Sequence, residues 1–379
     1  MNEIKKEMTV PFSSVGADDG QSNHMYDDSI TDTEEKSNTL EELAKKLNRM
    51  SNPYVLNTVT MSELYDSVYT NQPHIIENLL YPGLYLFAGG SKIGKSFMMI
   101  QLAYHVSTGT PLWGYTCRQG TVLYLALEDN HRRLQARSYR MFGTESTDKL
   151  IFSVAAGKLN KDLNEQLNNF MYEHPDTKLV IIDTLQKIRE ENGDNYSYAN
   201  DYQIMGKLKS FADSHEICVL IVHHTRKEKS EDIFDMISGT VGLFGAADGA
   251  FVMCKESRIS NNATLEVSGR DQPDQRFKLT RNLKTLAWDM ESAETDLWKE
   301  PPEPLLETVS AFLTESNPVW CGTSTRLVEE LSVDIKPNTL TLKLNVNANR
   351  LLNEYNIRYE NSRSHSGRRI KLELISTEA

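Results

Sequence analysis

From Tyr81 to Met290 the chain alternates short, continuous apolar runs with longer stretches whose apolar residues recur at helical spacing. The runs Leu84–Ala88, Thr121–Leu127, Lys149–Val154, Leu179–Ile182 and Cys218–Val222 have strand length and few polar interruptions. That is the pattern of strands buried on both faces. Between them, Lys95–Thr108, Asn130–Met141, Leu163–Glu173 and Asp201–His215 have the period of a helix. The alternation predicts βαβ units around a mostly parallel sheet, an α/β fold. Ala250–Cys254, Ala263–Val267 and Phe277–Leu279 follow a period of two and predict strands closing one edge of the sheet.

The flanks read differently. Residues 1–38 are polar and acidic (Asp18, Asp19, Asp27, Asp28, Glu34, Glu35), too poor in apolar groups to offset ordering entropy, and predict a disordered tail. Residues 39–74 predict a short helix and a linker: Leu40, Leu43, Ala44 and Leu47 share one face of Thr39–Arg49, and Thr39 with Glu42 forms a capping-box pattern. Residues 75–300 hold the alternating core. Pro301, Pro302 and Pro304 break it off, since clustered prolines resist both helix and sheet interior. Residues 301–379 then read as helices over Leu305–Glu315, Ser324–Leu331 and Thr339–Tyr355 and two short strands around Ser364–Gly367, the order of a winged helix.

Net charge is −12, so DNA or RNA contacts would have to come from local basic patches or from the bore of an assembled ring. Cys117, Cys218, Cys254 and Cys321 form no CxxC pair and predict free thiols in a reducing compartment. No apolar run approaches the roughly 18 residues of a membrane span, and Met1–Val10 lacks a signal-peptide core. The expectation is a cytoplasmic protein with no membrane partner.

Candidate chemistry gathers at the ends of the predicted strands. Gly89, Gly90, Ser91, Lys92, Ile93, Gly94, Lys95 and Ser96 form G-x-x-x-x-G-K-S between a strand and a helix. In that context the backbone N–H groups and the helix N-terminus cradle a nucleotide's phosphates, Lys95 reaches the β- and γ-phosphates, and the Ser96 hydroxyl ligates Mg²⁺. ATP and magnesium are the cofactors this implies. Leu179–Ile182 ends in Asp183, an acid placed to hold the same ion through its water shell. The strand Thr121–Leu127 ends in Glu128 and Asp129, the latter also suited to capping the next helix. Val219–Val222 runs into His223 and His224, either of which can sense the γ-phosphate. Arg270, after a late strand, can reach across a subunit boundary as an arginine finger, with Arg258 and Arg276 as substitutes.

The pieces GGSKIGKS, LYLALEDN, LVIIDT, VLIVHH, SGTVGLFGAADGAFVM and GRD occur in this order over roughly residues 75–285. In them the chain resembles the RepA-type hexameric replicative helicases and their AAA_25 relatives. The resemblance implies a RecA-like P-loop core, hexameric homo-oligomers with ATP at subunit boundaries, and single-stranded DNA in the channel. It gives Glu128 the role of catalytic carboxylate, Asp183 that of metal support, His223 or His224 that of γ-phosphate sensor, and Arg270 that of finger in trans. The acidic extension and the winged-helix-like tail depart from the smallest members, which leaves a loading or replication protein as a further partner. They look like features of proteins from mobile elements. For DNA contact, the polar stretches Gln186–Asn200 and Arg226–Thr240 should leave one side of the sheet, although Glu228, Glu231, Asp232 and Asp235 offset Arg226, Lys227 and Lys229. In the tail, Arg350, Arg358, Arg363, Arg368, Arg369 and Lys371 predict a modestly positive face.

Overall fold

The computed structural model describes residues 52, 54–56, 58–69, 73–159, 161–189, 198–226, 230–237, 241–255, 257, 259–270, 272–295, 301–364 and 367–375. The predicted tail, the helix at Thr39–Arg49 and Arg258 lie outside them.

The predicted strands appear as β1 (Gly83–Gly89), β2 (Thr121–Ala126), β3 (Leu150–Ser153), β4 (Thr177–Asp183), β5 (Cys218–His224), β6 (Gly249–Cys254), β7 (Asn262–Gly269) and β8 (Gln272–Arg281). With β9 (Trp288–Thr295) they make one sheet in the order β3-β2-β4-β5-β1-β6-β7-β8-β9. The strands from β3 to β6 in that order are mutually parallel, and β7, β8 and β9 extend the edge antiparallel. Because the central strands are apolar on both faces, helices cover both. Tyr85 and Phe87 of β1 meet α2 (Lys95–Thr108) and α3 (His131–Phe142) through Met98, Met99 and Leu134. Leu84, Leu86 and Ala88 point the other way, to Leu163 and Leu167 of α4 (Leu163–Glu173) and to Met205 and Leu208 of α6 (Tyr198–His215). Each such buried Leu, Phe or Met side chain contributes about 1.5–3 kcal/mol. Between β4 and α6 lies the single turn α5 (Leu185–Ile188), and α7 (Val241–Ala246) precedes β6. A parallel α/β sheet in this order, with a glycine-rich strand-to-helix turn after β1, is a RecA-like P-loop core.

Several elements differ from expectation. β9 carries no period-two signal in its sequence, because only Trp288 of its eight residues is buried. A capping box at Thr60 and Glu63 starts an unanticipated helix, α1 (Met61–Asp66). Helix α3 is capped by Asn130, whose side chain accepts from the Arg133 N–H, and not by Asp129.

A separate apolar core, including Leu306, Val309, Trp320, Leu327, Leu344, Leu351 and Ile370, unites the C-terminal elements. These are α8 (Pro304–Phe312), β10 (Val319–Thr323), α9 (Ser324–Leu331), α10 (Pro337–Val346), α11 (Ala348–Tyr355), β11 (Ile357–Ser364) and β12 (Gly367–Leu374). The single helix expected over Thr339–Tyr355 is two, broken at Asn347, whose amide side chain donates to the Lys343 carbonyl and competes with helix continuation. β10 was also unforeseen, and it completes a small antiparallel sheet in the order β10-β12-β11. Onto this unit docks α1: Asn345 and Asn349 donate to the Tyr65 and Tyr69 carbonyls, and Arg368 pairs with Asp66. Among the described residues no helix is long and apolar enough to cross a membrane.

Candidate nucleotide site

Parallel pairing aligns the C-terminal ends of β2, β4, β5 and β1. Gly89 stands opposite His224, Val222 opposite Asp183, and Asp183 opposite Ala126. That register brings the separately predicted residues to one edge of the sheet.

The glycine-rich turn from Gly89 into α2 has the backbone its sequence implies. Gly94 is the N-cap of α2 in a left-handed conformation (φ 107°), and no side chain caps the helix. The first-turn N–H groups of α2 thus face the turn without a side-chain acceptor, as an anion site requires. At Gly89 an added Cβ would lie 2.7 Å from Ile93 and 2.8 Å from the Met253 carbonyl, so only glycine fits there. Lys95 is buried, and its Nζ donates to the carbonyls of Gly89 (2.7 Å) and Gly90 (3.0 Å). Burial lowers its pKa to about 8, although Asp183 and Glu128 pull the other way.

Ser96 follows on the same turn and donates its hydroxyl to Asp183 Oδ2 at 2.9 Å. The fully buried Tyr124 of β2 donates to the same oxygen, also at 2.9 Å. Burial raises the Asp183 carboxyl, and these two hydrogen bonds oppose the rise. A hydroxyl and a carboxylate face to face form the hard-oxygen pair that magnesium prefers, so Ser96 and Asp183 fit the metal role. Next along the chain, Thr184 donates its hydroxyl to Glu128 Oε1 at 3.2 Å. Glu128 is exposed at the strand end, while its neighbour Asp129 is held by Arg133 (2.8 Å) and Arg137 (2.7 Å). Glu128 therefore faces the site, and Asp129 serves the start of α3.

The two histidines separate clearly. His224 Nδ1 lies 3.3 Å from Lys95 Nζ, whereas His223, one residue back and in register with Ala88, is buried. Burial and then the Lys95 charge lower the His224 pKa, which favours a neutral ring that accepts from the ammonium.

Sequence reasoning missed several supporting residues. Tyr124 and Thr184 orient the two acids. Trp288, fully buried, rests on the turn: its ring lies 2.9 Å from where a Gly94 Cβ would stand. Gln101 of α2 clasps the Trp288 main chain, donating to its carbonyl (2.9 Å) and accepting from its N–H (2.8 Å). The Phe97 ring has Arg281 at 4.3 Å and Arg137 at 4.7 Å, contacts worth about 0.5–2 kcal/mol each. An aromatic residue beyond an apolar hairpin carries no local signal for such roles.

Arg270 is elsewhere. It follows β7, which runs antiparallel to β6, so it sits at the opposite end of the sheet, its N–H bonded to the Asp248 carbonyl beside Leu84. Five residues of β1, about 16 Å at the usual rise of a strand, separate that level from Gly89. Its guanidinium is half exposed and donates to the Gly245 carbonyl at 2.9 Å. Arg276, its substitute, pairs with Glu266 at 3.0 Å.

A search of curated proteins found no match. Among solved structures, an ATPase domain matches at 16% identity with a TM-score of 0.46, covering 69% of this chain and 99% of that one. A DnaB-like replicative helicase, solved with its interactions with primase, matches at 16% identity and a TM-score of 0.47, covering 69% and 74%. Residues 50–230, which carry the glycine-rich turn, Glu128, Asp183 and both histidines, match the AAA_25 family, an AAA domain.

Proposed function

We propose that the chain is a Mg·ATP-hydrolysing DNA motor, a ring-shaped replication helicase of a mobile element. The convergence of Lys95, the Ser96–Asp183 pair, the Thr184–Glu128 pair and His224 on one sheet edge carries the ATPase part of this reading. When bound, magnesium would neutralise phosphate charge between Ser96 and Asp183. Lys95 binds the phosphates, and Glu128, oriented by Thr184, takes the proton of the attacking water. His224, against Lys95, senses loss of the γ-phosphate.

The placement of Arg270 supports the ring. It cannot reach the site of its own chain, so a finger role demands a neighbour. DNA in the ring would meet the segments that leave β4 and β5 at the nucleotide end of the sheet. The C-terminal unit reads as a winged helix, but six of its described cations already have carboxylate partners. Arg326, Arg350, Arg358, Arg368, Lys343 and Lys371 each lie within 4.0 Å of a carboxylate. This favours a motor over a DNA-binding regulator. The test is ATP turnover by a sized oligomer with and without single-stranded DNA, beside strand displacement on forked DNA. Turnover indifferent to DNA together with tight duplex binding would reverse the choice.

A further inference from the structure

Arg270 is held directly from α7 and, through Asp248, from α6, and both helices follow strands that end at the nucleotide site. From Asp183 at the end of β4 the chain passes through α5 and returns along α6, where Lys209 donates to both Asp248 oxygens at 2.7 Å. From His224 at the end of β5 it returns through α7, whose Gly245 carbonyl accepts from Arg270 Nη2 at 2.9 Å. Asp248 joins the two. Its carbonyl accepts the Arg270 N–H (2.8 Å), its carboxylate accepts the Leu84 N–H (2.9 Å), and Oδ1 lies 3.9 Å from Arg270 Nη1. Gly83 makes room for it, since an added Cβ there would stand 2.7 Å from Asp248 Oδ2. The Asp248 side chain is 16% exposed and that of Lys209 29%, so the pair is sheltered, whereas the Arg270 side chain is 55% exposed and offered outward.

We propose that Lys209 and Asp248 are positioning residues for Arg270, linking its placement to the two segments that leave the nucleotide end of the sheet. The proposal rests on the reading of Arg270 as a finger for the neighbouring subunit. On that reading, a change at Asp183 or His224 in one subunit moves α6 or α7 and resets the finger presented to the next. The Lys209 ammonium neutralises Asp248; without it, the carboxylate draws the Arg270 guanidinium 3.9 Å away back onto itself. The finger then turns from its target, and misplacement of about an ångström costs up to about a hundredfold in rate.

The experiment is a double-mutant cycle on the assembled protein, with nucleotide affinity measured separately by a fluorescent ATP analogue. Lys209→Met is expected to lower kcat about tenfold while analogue affinity stays within about twofold. It should add nothing in an Arg270→Ala background, and Lys209→Arg should retain most of the rate. If thermal unfolding shows Lys209→Met to be destabilised, Lys209→Gln, which also removes the charge but keeps a polar end, takes its place in the cycle. A full Lys209→Met loss persisting beside Arg270→Ala, or affinity falling with kcat, overturns the positioning role. Normal turnover by Lys209→Met with impaired Arg270→Ala removes this proposal alone. Normal turnover by Arg270→Ala removes the finger reading and this proposal with it.

Discussion

Replacing Arg270 by alanine asks where the site's positive charge comes from. The level of β1 that Arg270 occupies is about 16 Å from Gly89. Through solvent of dielectric about 80, a unit charge at that distance contributes about 0.3 kcal/mol, a factor of about 1.5 in rate. If each chain worked alone, Arg270→Ala would be nearly silent. A finger donated to a neighbour is worth about three to five orders of magnitude, or about 4–7 kcal/mol. The two arrangements thus differ by a margin no assay could miss. Steady-state turnover at saturating Mg·ATP, with oligomer size checked by light scattering, gives the first number. Mixing gives the second: Arg270→Ala subunits combined with Glu128→Gln subunits form some boundaries with an intact Glu128 on one side and an intact Arg270 on the other. Those boundaries should turn over, though neither variant does so alone. A loss under about threefold in correctly sized Arg270→Ala oligomers, or the absence of rescue on mixing, would refute the reasoning.

Other outcomes follow from the site. Glu128→Gln should keep Mg·ATP bound and cut turnover by about two or more orders of magnitude, read by single-turnover kinetics; normal rates would move the base elsewhere. Phosphate needs the charged lysine, and the Lys95 pKa is lowered to about 8, so ATP affinity should be level below that pH and fall above it, approaching tenfold per unit. Isothermal titration from pH 6.5 to 9.5 checks this, and a flat profile contradicts it. Gly94→Ala places a Cβ 2.9 Å from the Trp288 ring at φ 107° and should cost about 1–3 kcal/mol of stability together with nucleotide affinity. Thermal unfolding and nucleotide titration would show it.

The fold was legible where burial on both faces made the strands continuous, as in Leu179–Ile182 and Cys218–Val222. It was not legible at β9 and β10, where single buried tryptophans, Trp288 and Trp320, carry short or edge strands. The glycine-rich turn after β1 could be read because its residue spacing is itself the signal. Which of His223 and His224 lies beside Lys95 could not, since that depends on which face of β5 meets the lysine, a property of sheet pairing. Tyr124 and Thr184 were unreadable for the same reason: they act across strands, and nothing local in the chain marks a hydroxyl that will meet an acid 56 or 59 residues away. The positive face expected of the tail was a count of charges, which could not anticipate that Asp66 of α1 would return to Arg368.

The indole of Trp288, pressed on Gly94 and clasped by Gln101, also gives the protein an optical voice. A fluorophore sealed from solvent and touching the turn proposed to bind phosphate should change its emission when ATP tightens that turn. Loading of the site could then be followed in the unlabelled protein, with Trp288→Phe showing how much of the light comes from this one of its four tryptophans.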